Sequence, residues 1–115
     1  MAALKVFTVS YGGVRIKVRV LPTITDVHRE YTDGKRRRDG KTIHAFFEPT
    51  RSPAAKYIGT IVLPVNGPLE ELIPHETVHA VLHKMVVAHA MDDESLATTV
   101  GVLSARIARK IGAMP

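Results

Sequence analysis

The sequence predicts an α+β fold, a small and mostly antiparallel sheet followed by two helices, and three observations lead there. Residues 1–65 alternate apolar and polar side chains with the period of strands, whereas residues 66–115 repeat them at helical spacing. The two patterns are segregated along the chain, which fits α+β and speaks against a run of βαβ units. At 115 residues, 45% of them hydrophobic, residues 1–115 are long enough for a single domain with a true core.

Leu4 to Ser10 reads as a strand, with Leu4, Val6 and Thr8 on one side and Lys5, Phe7 and Val9 on the other. Tyr11-Gly12-Gly13 supplies turn chemistry. Val14 to Val20 alternates strictly between apolar and basic residues, which predicts a half-buried strand with Arg15, Lys17 and Arg19 on its solvated face. The two strands make a hairpin. Thr23 to Tyr31 carries no decisive period. Residues 33–41 form a basic loop, flanked by two Asp-Gly pairs. Lys41 to Glu48 and Lys56 to Val65 read as two further strands, joined by Pro49 to Pro53.

From Leu69 to about Lys84 the spacing turns helical. Leu72, Ile73, Val78, Val81 and Leu82 put apolar groups on most sides, which predicts a buried helix. Asn66 is the candidate N-cap, and Pro74 suits the first residue of the main helix after a short turn. Asp92 or Asp93 caps a second helix with a core stripe of Leu96, Val100, Leu103, Ile107 and Ile111. Arg109 and Lys110 suit its C-terminal dipole, and Gly112 closes it.

Composition narrows the chemistry. With no cysteine there is no disulfide framework and no thiolate zinc site, so His, Asp or Glu must hold any metal. Aromatics at 5% and the absence of Trp weigh against a base-stacking platform. Residues 1–68 hold twelve Lys/Arg against five Asp/Glu, and residues 69–115 hold four against six. The basic excess therefore lies in the first half, while four of the six histidines lie between positions 75 and 89 of the second. The N-terminal residues alternate like a strand and carry Lys5, so no signal peptide is expected. No run reaches the roughly 18 apolar residues of a membrane span. A cytoplasmic protein is the expectation.

His75-Glu76-Thr77-Val78-His79 carries the chemistry. On a helix, residues i and i+4 share a face about 6 Å apart along the axis, so two imidazoles can converge on one Zn²⁺. Glu76 can then reach a water at the ion without ligating it, the place of a general base. A catalytic zinc needs a third protein ligand, and the candidates are His83, His89, Asp92, Asp93 and Glu94. His83 shares the face of His79 but lies about 12 Å along the axis from His75. Glu94 suits better, because its face carries Ala97, Thr98, Gly101, Ala105 and Ala108, small residues that would let two helices approach closely. That choice requires the first helix to end or bend soon after His83, or a steep crossing of the two. One unbroken helix antiparallel to the next would make Glu94 the wrong ligand.

His75 to Leu82, followed by Asp93-Glu94-Ser95-Leu96-Ala97, resembles the HExxH…E-x-x-A pattern of zincin-type metallopeptidases, most of all the short ImmA/IrrE-like and phage or prophage-encoded domains. The resemblance covers about residues 56–110. It implies a minimal zincin-like core, one Zn²⁺ per chain held by His75, His79 and Glu94, and Glu76 as catalytic base. It also implies a bacterial cell or a phage-infected host as the setting, and a protein or peptide as substrate. In zincins the strand before the metal helix borders the cleft, which points to Tyr57, Gly59, Thr60 and Ile61 as substrate contacts through a strand edge. His83, His89 and Tyr57 are candidates to stabilise the oxyanion or to support the ligands from behind.

Two other readings stay open on the sequence. One is a catalytically silent zincin-like module that binds metal and a partner. The other is a binder of nucleic acid or an acidic protein through Lys35, Arg36, Arg37, Arg38 and Lys41, which can attract phosphate.

Overall fold

The computed structural model describes residues 3–33, 42–51, 56–88 and 92–112. Among these, four strands and three helices follow in the order β1 (Lys5–Tyr11), β2 (Val14–Leu21), α1 (Ile24–Asp33), β3 (Phe46–Pro49), β4 (Gly59–Pro64), α2 (Leu69–Ala88) and α3 (Asp93–Gly112). The fold is α+β with a mostly antiparallel sheet of order β1-β2-β4-β3. β1 pairs antiparallel with β2, β3 pairs antiparallel with β4, and β2 and β4 run parallel.

The hairpin forms as its residues dictate. Tyr11 pairs with Val14, leaving a two-residue loop of Gly12 and Gly13 at φ of 60° and 80°. Both values lie in the left-handed region that glycine enters without penalty, and such a turn matches the twist of the strands it joins. Val14, Ile16, Val18 and Val20 are fully buried, so the apolar side of the alternation faces the core. They pack with Ile61, Leu63, Ile73, Ala80, Val81, Leu103 and Ile107 between the sheet and the α2/α3 pair. The opposite face of the sheet carries a smaller cluster, Leu21, Val27, Phe46 and Val62, beneath α1. The result is three layers, with the sheet in the middle.

Helix α1, ambiguous on the sequence, does carry Ile24, Val27 and Tyr31 at helical spacing, and its start is encoded as well. The Thr23 hydroxyl accepts from the Asp26 amide at 3.1 Å, and the Asp26 carboxylate accepts from the Thr23 amide at 3.2 Å. That reciprocal exchange satisfies two amides that the first turn leaves orphaned. Asn66, expected to cap the metal helix, instead accepts from the Ile24 amide at 3.0 Å and so ties α1 to the β4–α2 turn.

Helix α2 departs from expectation in three ways. It begins at Leu69 and passes through Pro74, rather than starting there. Proline removes one bond, to the carbonyl of Glu70, and Glu70 is exposed, so water can serve that oxygen. The helix continues without a break to Ala88. Its apolar residues are not all buried: Val78 is 37% and Leu82 40% exposed, while Ile73, Ala80 and Val81 face the core. Helix α3 follows the sequence closely. Asp92 caps it by accepting from the Ser95 amide at 2.7 Å, and Leu103, Ile107 and Ile111 are buried. The strand expected over Lys41 to Glu48 pairs only from Phe46 onward, and residues 42–45 lie outside any ladder.

Candidate metal centre

His75 and His79 stand on the face of α2 that opens into a cleft of about 510 Å³ between α2, β3 and the end of α1. Their Nε2 atoms are 3.2 Å apart. The two rings stand at hydrogen-bonding distance, and two nitrogens each about 2.05 Å from a tetrahedral zinc would stand about 3.3 Å apart, so the separation is also compatible with such an ion. The His75 side chain is 66% exposed, which leaves the nitrogens accessible. Glu76 differs from its neighbours. Only 7% of its side chain is exposed, and its Oε2 lies 3.9 Å from the His75 Nε2. Burial pushes the Glu76 carboxyl above its ordinary value, and the two imidazoles beside it pull partly the other way. A carboxylate held desolvated next to a reacting centre is poised to accept and return a proton.

The third ligand is not in place. Among the described residues, no three His, Asp or Glu side chains gather to hold an ion. Glu94 is exposed in the first turn of α3 and does not line the cleft. Because α2 runs unbroken for nine residues past His79, a distance of about 13 Å on a helix, its C-terminal end lies far from the histidine pair. The small-residue face meant to bring the helices together points elsewhere: Ala97, Thr98, Gly101, Ala105 and Ala108 are all exposed. Asp92 is engaged in capping, and Ser95 holds its carboxyl below the usual range. His89 lies outside the described residues, as do Lys35, Arg36, Arg37, Arg38 and Lys41 of the basic loop.

The strand expected to meet a substrate is the wrong one. β4 lies between β2 and β3, so both its edges are already paired, and Ile61 is fully buried. Gly59 and Thr60 pair with Pro49 and Glu48 of β3. Tyr57 sits under the Lys17 ammonium, 5.5 Å from ring centre to nitrogen, and is not in the cleft. The strand that borders the cleft is β3, which ends the sheet on this side. His83 does line the cleft, its ring 5.9 Å from that of Phe47. The basic face of β2 is partly neutralised, since Arg19 bonds Glu30 at 2.6 Å.

Sequence reasoning missed the opposite wall. Tyr31, Ile43, Phe46 and Phe47 also line the cleft. A second recess of about 310 Å³ adjoins it, shares His75 and Glu76, and adds His44 and Glu71. The available signal was the adjacent pair Phe46-Phe47, two of only three phenylalanines in the chain.

No family model, no curated protein and no solved structure matches this chain. Among the described residues, no helix is long and apolar enough to cross a membrane.

Proposed function

We propose that the chain is a zinc-dependent peptidase of minimal zincin-like design, acting on a protein or peptide. The observation that carries this reading is the convergence of two imidazole nitrogens at zinc-pair spacing beside a buried glutamate, inside a cleft. His75 and His79 would hold one Zn²⁺ per chain as two of its three protein ligands, the third coming from outside the described arrangement. The bound ion supplies Lewis acidity, which polarises a carbonyl and makes water a better nucleophile near neutral pH. Glu76 takes the proton from the attacking water and hands it to the leaving amine.

A metal-binding module without hydrolysis is the second reading, and the exposed position of Glu94 favours it. Three proteins separate the two: wild type, His79→Ala and Glu76→Gln. Elemental analysis is expected to find about one zinc in wild type and Glu76→Gln, and none in His79→Ala. Hydrolysis of an unstructured fluorogenic peptide mixture is expected to fall by about 10²–10⁴-fold in Glu76→Gln. A wild type that takes up no zinc overturns both readings. Zinc bound with no hydrolysis in the wild type leaves the module.

A further inference from the structure

We infer that the open edge of β1 takes an acidic, extended segment of another protein as an added strand. This edge lies at the opposite end of the sheet from the cleft, and the inference stands independently of the metal centre.

β1 has a strand partner on one side only. Tyr11 and Val14 flank a two-residue loop, so Tyr11, Val9, Phe7 and Lys5 turn their amides and carbonyls toward β2. Ser10, Thr8 and Val6 turn theirs outward. Arg106 marks that direction, because its guanidinium donates to the Ser10 carbonyl from outside the sheet. Among the described residues no further strand covers the outward groups of Thr8 and Val6. The strand is seven residues long and free of proline, so it offers a ladder to an incoming chain.

The chemistry beside the edge selects the occupant. A recess of about 500 Å³ lies between Thr8, Val9 and Ser10 of β1 and Arg106, Arg109 and Lys110 of α3. Its lining residues include no Asp or Glu, and all three cationic side chains are exposed. Lys5 reaches the same place, since its Nζ donates to the Lys110 carbonyl at 3.4 Å. The Arg106 guanidinium is steadied 5.4 Å from the Tyr11 ring centre and keeps further N–H donors for a carboxylate. Arg106 and Lys110 are four residues apart, about 6 Å along a helix, close to the roughly 6.8 Å between alternate residues of a strand. Carboxylates at positions i and i+2 of an added strand can therefore meet both. On the other face of β1, Leu4 is 54% and Val6 51% exposed, and the cluster beneath α1 includes no β1 residue. The intervening side chains of the added strand find apolar contacts there. A second copy of β1 is a poor occupant, because it would bring Lys5 and the same three cations against their like.

The test measures anisotropy of fluorescein-labelled octapeptides with the wild-type chain at about 50 mM salt, where charge contacts are weakly screened. The peptides alternate Val with Glu, Ser or Lys. The Val/Glu peptide is expected to bind at least about tenfold more tightly than the Val/Ser and Val/Lys peptides. Two further Val/Glu peptides carry N-methyl groups on one or the other set of alternate amides. A ladder uses one set only, so one of them is expected to bind about tenfold more weakly and the other within about twofold of the parent. Arg109→Gln with Lys110→Gln, both at exposed positions, is expected to bring the Val/Glu peptide down to the Val/Ser level with the far-ultraviolet spectrum unchanged. Thr8→Pro, which removes one outward amide at a sheet edge, is expected to weaken the Val/Glu peptide about tenfold. Equal binding of the three parent peptides, or binding of none, overturns the inference. So does a Val/Glu peptide indifferent to both methylations, which would make the contact one of charge alone. Single-stranded DNA of matched charge that binds more tightly than the Val/Glu peptide, or a chain that sediments as a dimer and binds no peptide, also overturns it.

Discussion

Glu76 is the one buried carboxylate among the described residues, and its stability consequence has a definite sign. Desolvation raises its pKa in the folded state, so between the ordinary carboxyl value and the raised one the native state binds more protons than the unfolded state. Metal-free protein therefore loses stability as pH rises through that window, and the cost persists above it. Glutamine has nearly the same shape and never ionises. Glu76→Gln is expected to match wild type near about pH 3 and to exceed it increasingly toward neutral pH. Urea denaturation of both proteins in chelator, across that range, measures the difference. A difference that stays flat, or a variant less stable at neutral pH, contradicts the assigned burial cost. At this scale the sequence was informative for a simple reason. Helical spacing alone places His75, Glu76 and His79, so the geometry of the pair and its base follows from four consecutive backbone steps. Glu94 was not legible in the same way, because its position depends on where α2 ends and how α3 leaves it.

The elements differ in how locally they are specified. The β1–β2 hairpin and α3 were readable because turn glycines, strict alternation and a cap lie within a few residues of each other. α1 stayed ambiguous because its apolar stripe is short, Ile24, Val27 and Tyr31 over ten residues, with Val27 its single buried residue. Its signal is instead the Thr23–Asp26 exchange, reinforced from outside by Asn66. Thr23→Ala is expected to cost about 1 kcal/mol, the usual value of an N-cap hydroxyl, seen as a lower midpoint in urea with an unchanged slope. An effect near zero would mean that Asn66 and Asp26 hold the helix start without the hydroxyl. The role of β4 was misassigned for a different reason. Strand order is a non-local property, and nothing within residues 56–65 reveals that β2 occupies one edge and β3 the other. The strand that borders the cleft is therefore the terminal β3, one place along the sheet from the buried β4.

Over the whole molecule, the two layers around the sheet are unequal, and the cleft lies where the weaker one ends. Among the described residues, the α2/α3 side buries thirteen in one cluster and the α1 side four. Local opening follows buried apolar contact, so α1 and β3 should open at lower free energy than β2, β4 and α3. Both weaker elements contribute to the cleft, α1 through Tyr31 and β3 through Phe46 and Phe47. The histidine wall, by contrast, is on a helix whose Ile73, Ala80 and Val81 are anchored in the larger core. The wall that carries His75, Glu76 and His79 is thus the more firmly anchored of the two. Native-state hydrogen exchange tests this directly. Amides of Val27 to Tyr31 and of Phe46 to Glu48 are expected to exchange at least about tenfold faster than those of Val18, Leu63, Leu103 and Ile107. Uniform protection across both layers would show instead that the sheet locks its two faces into one cooperative unit, and the cleft would then be rigid on both sides.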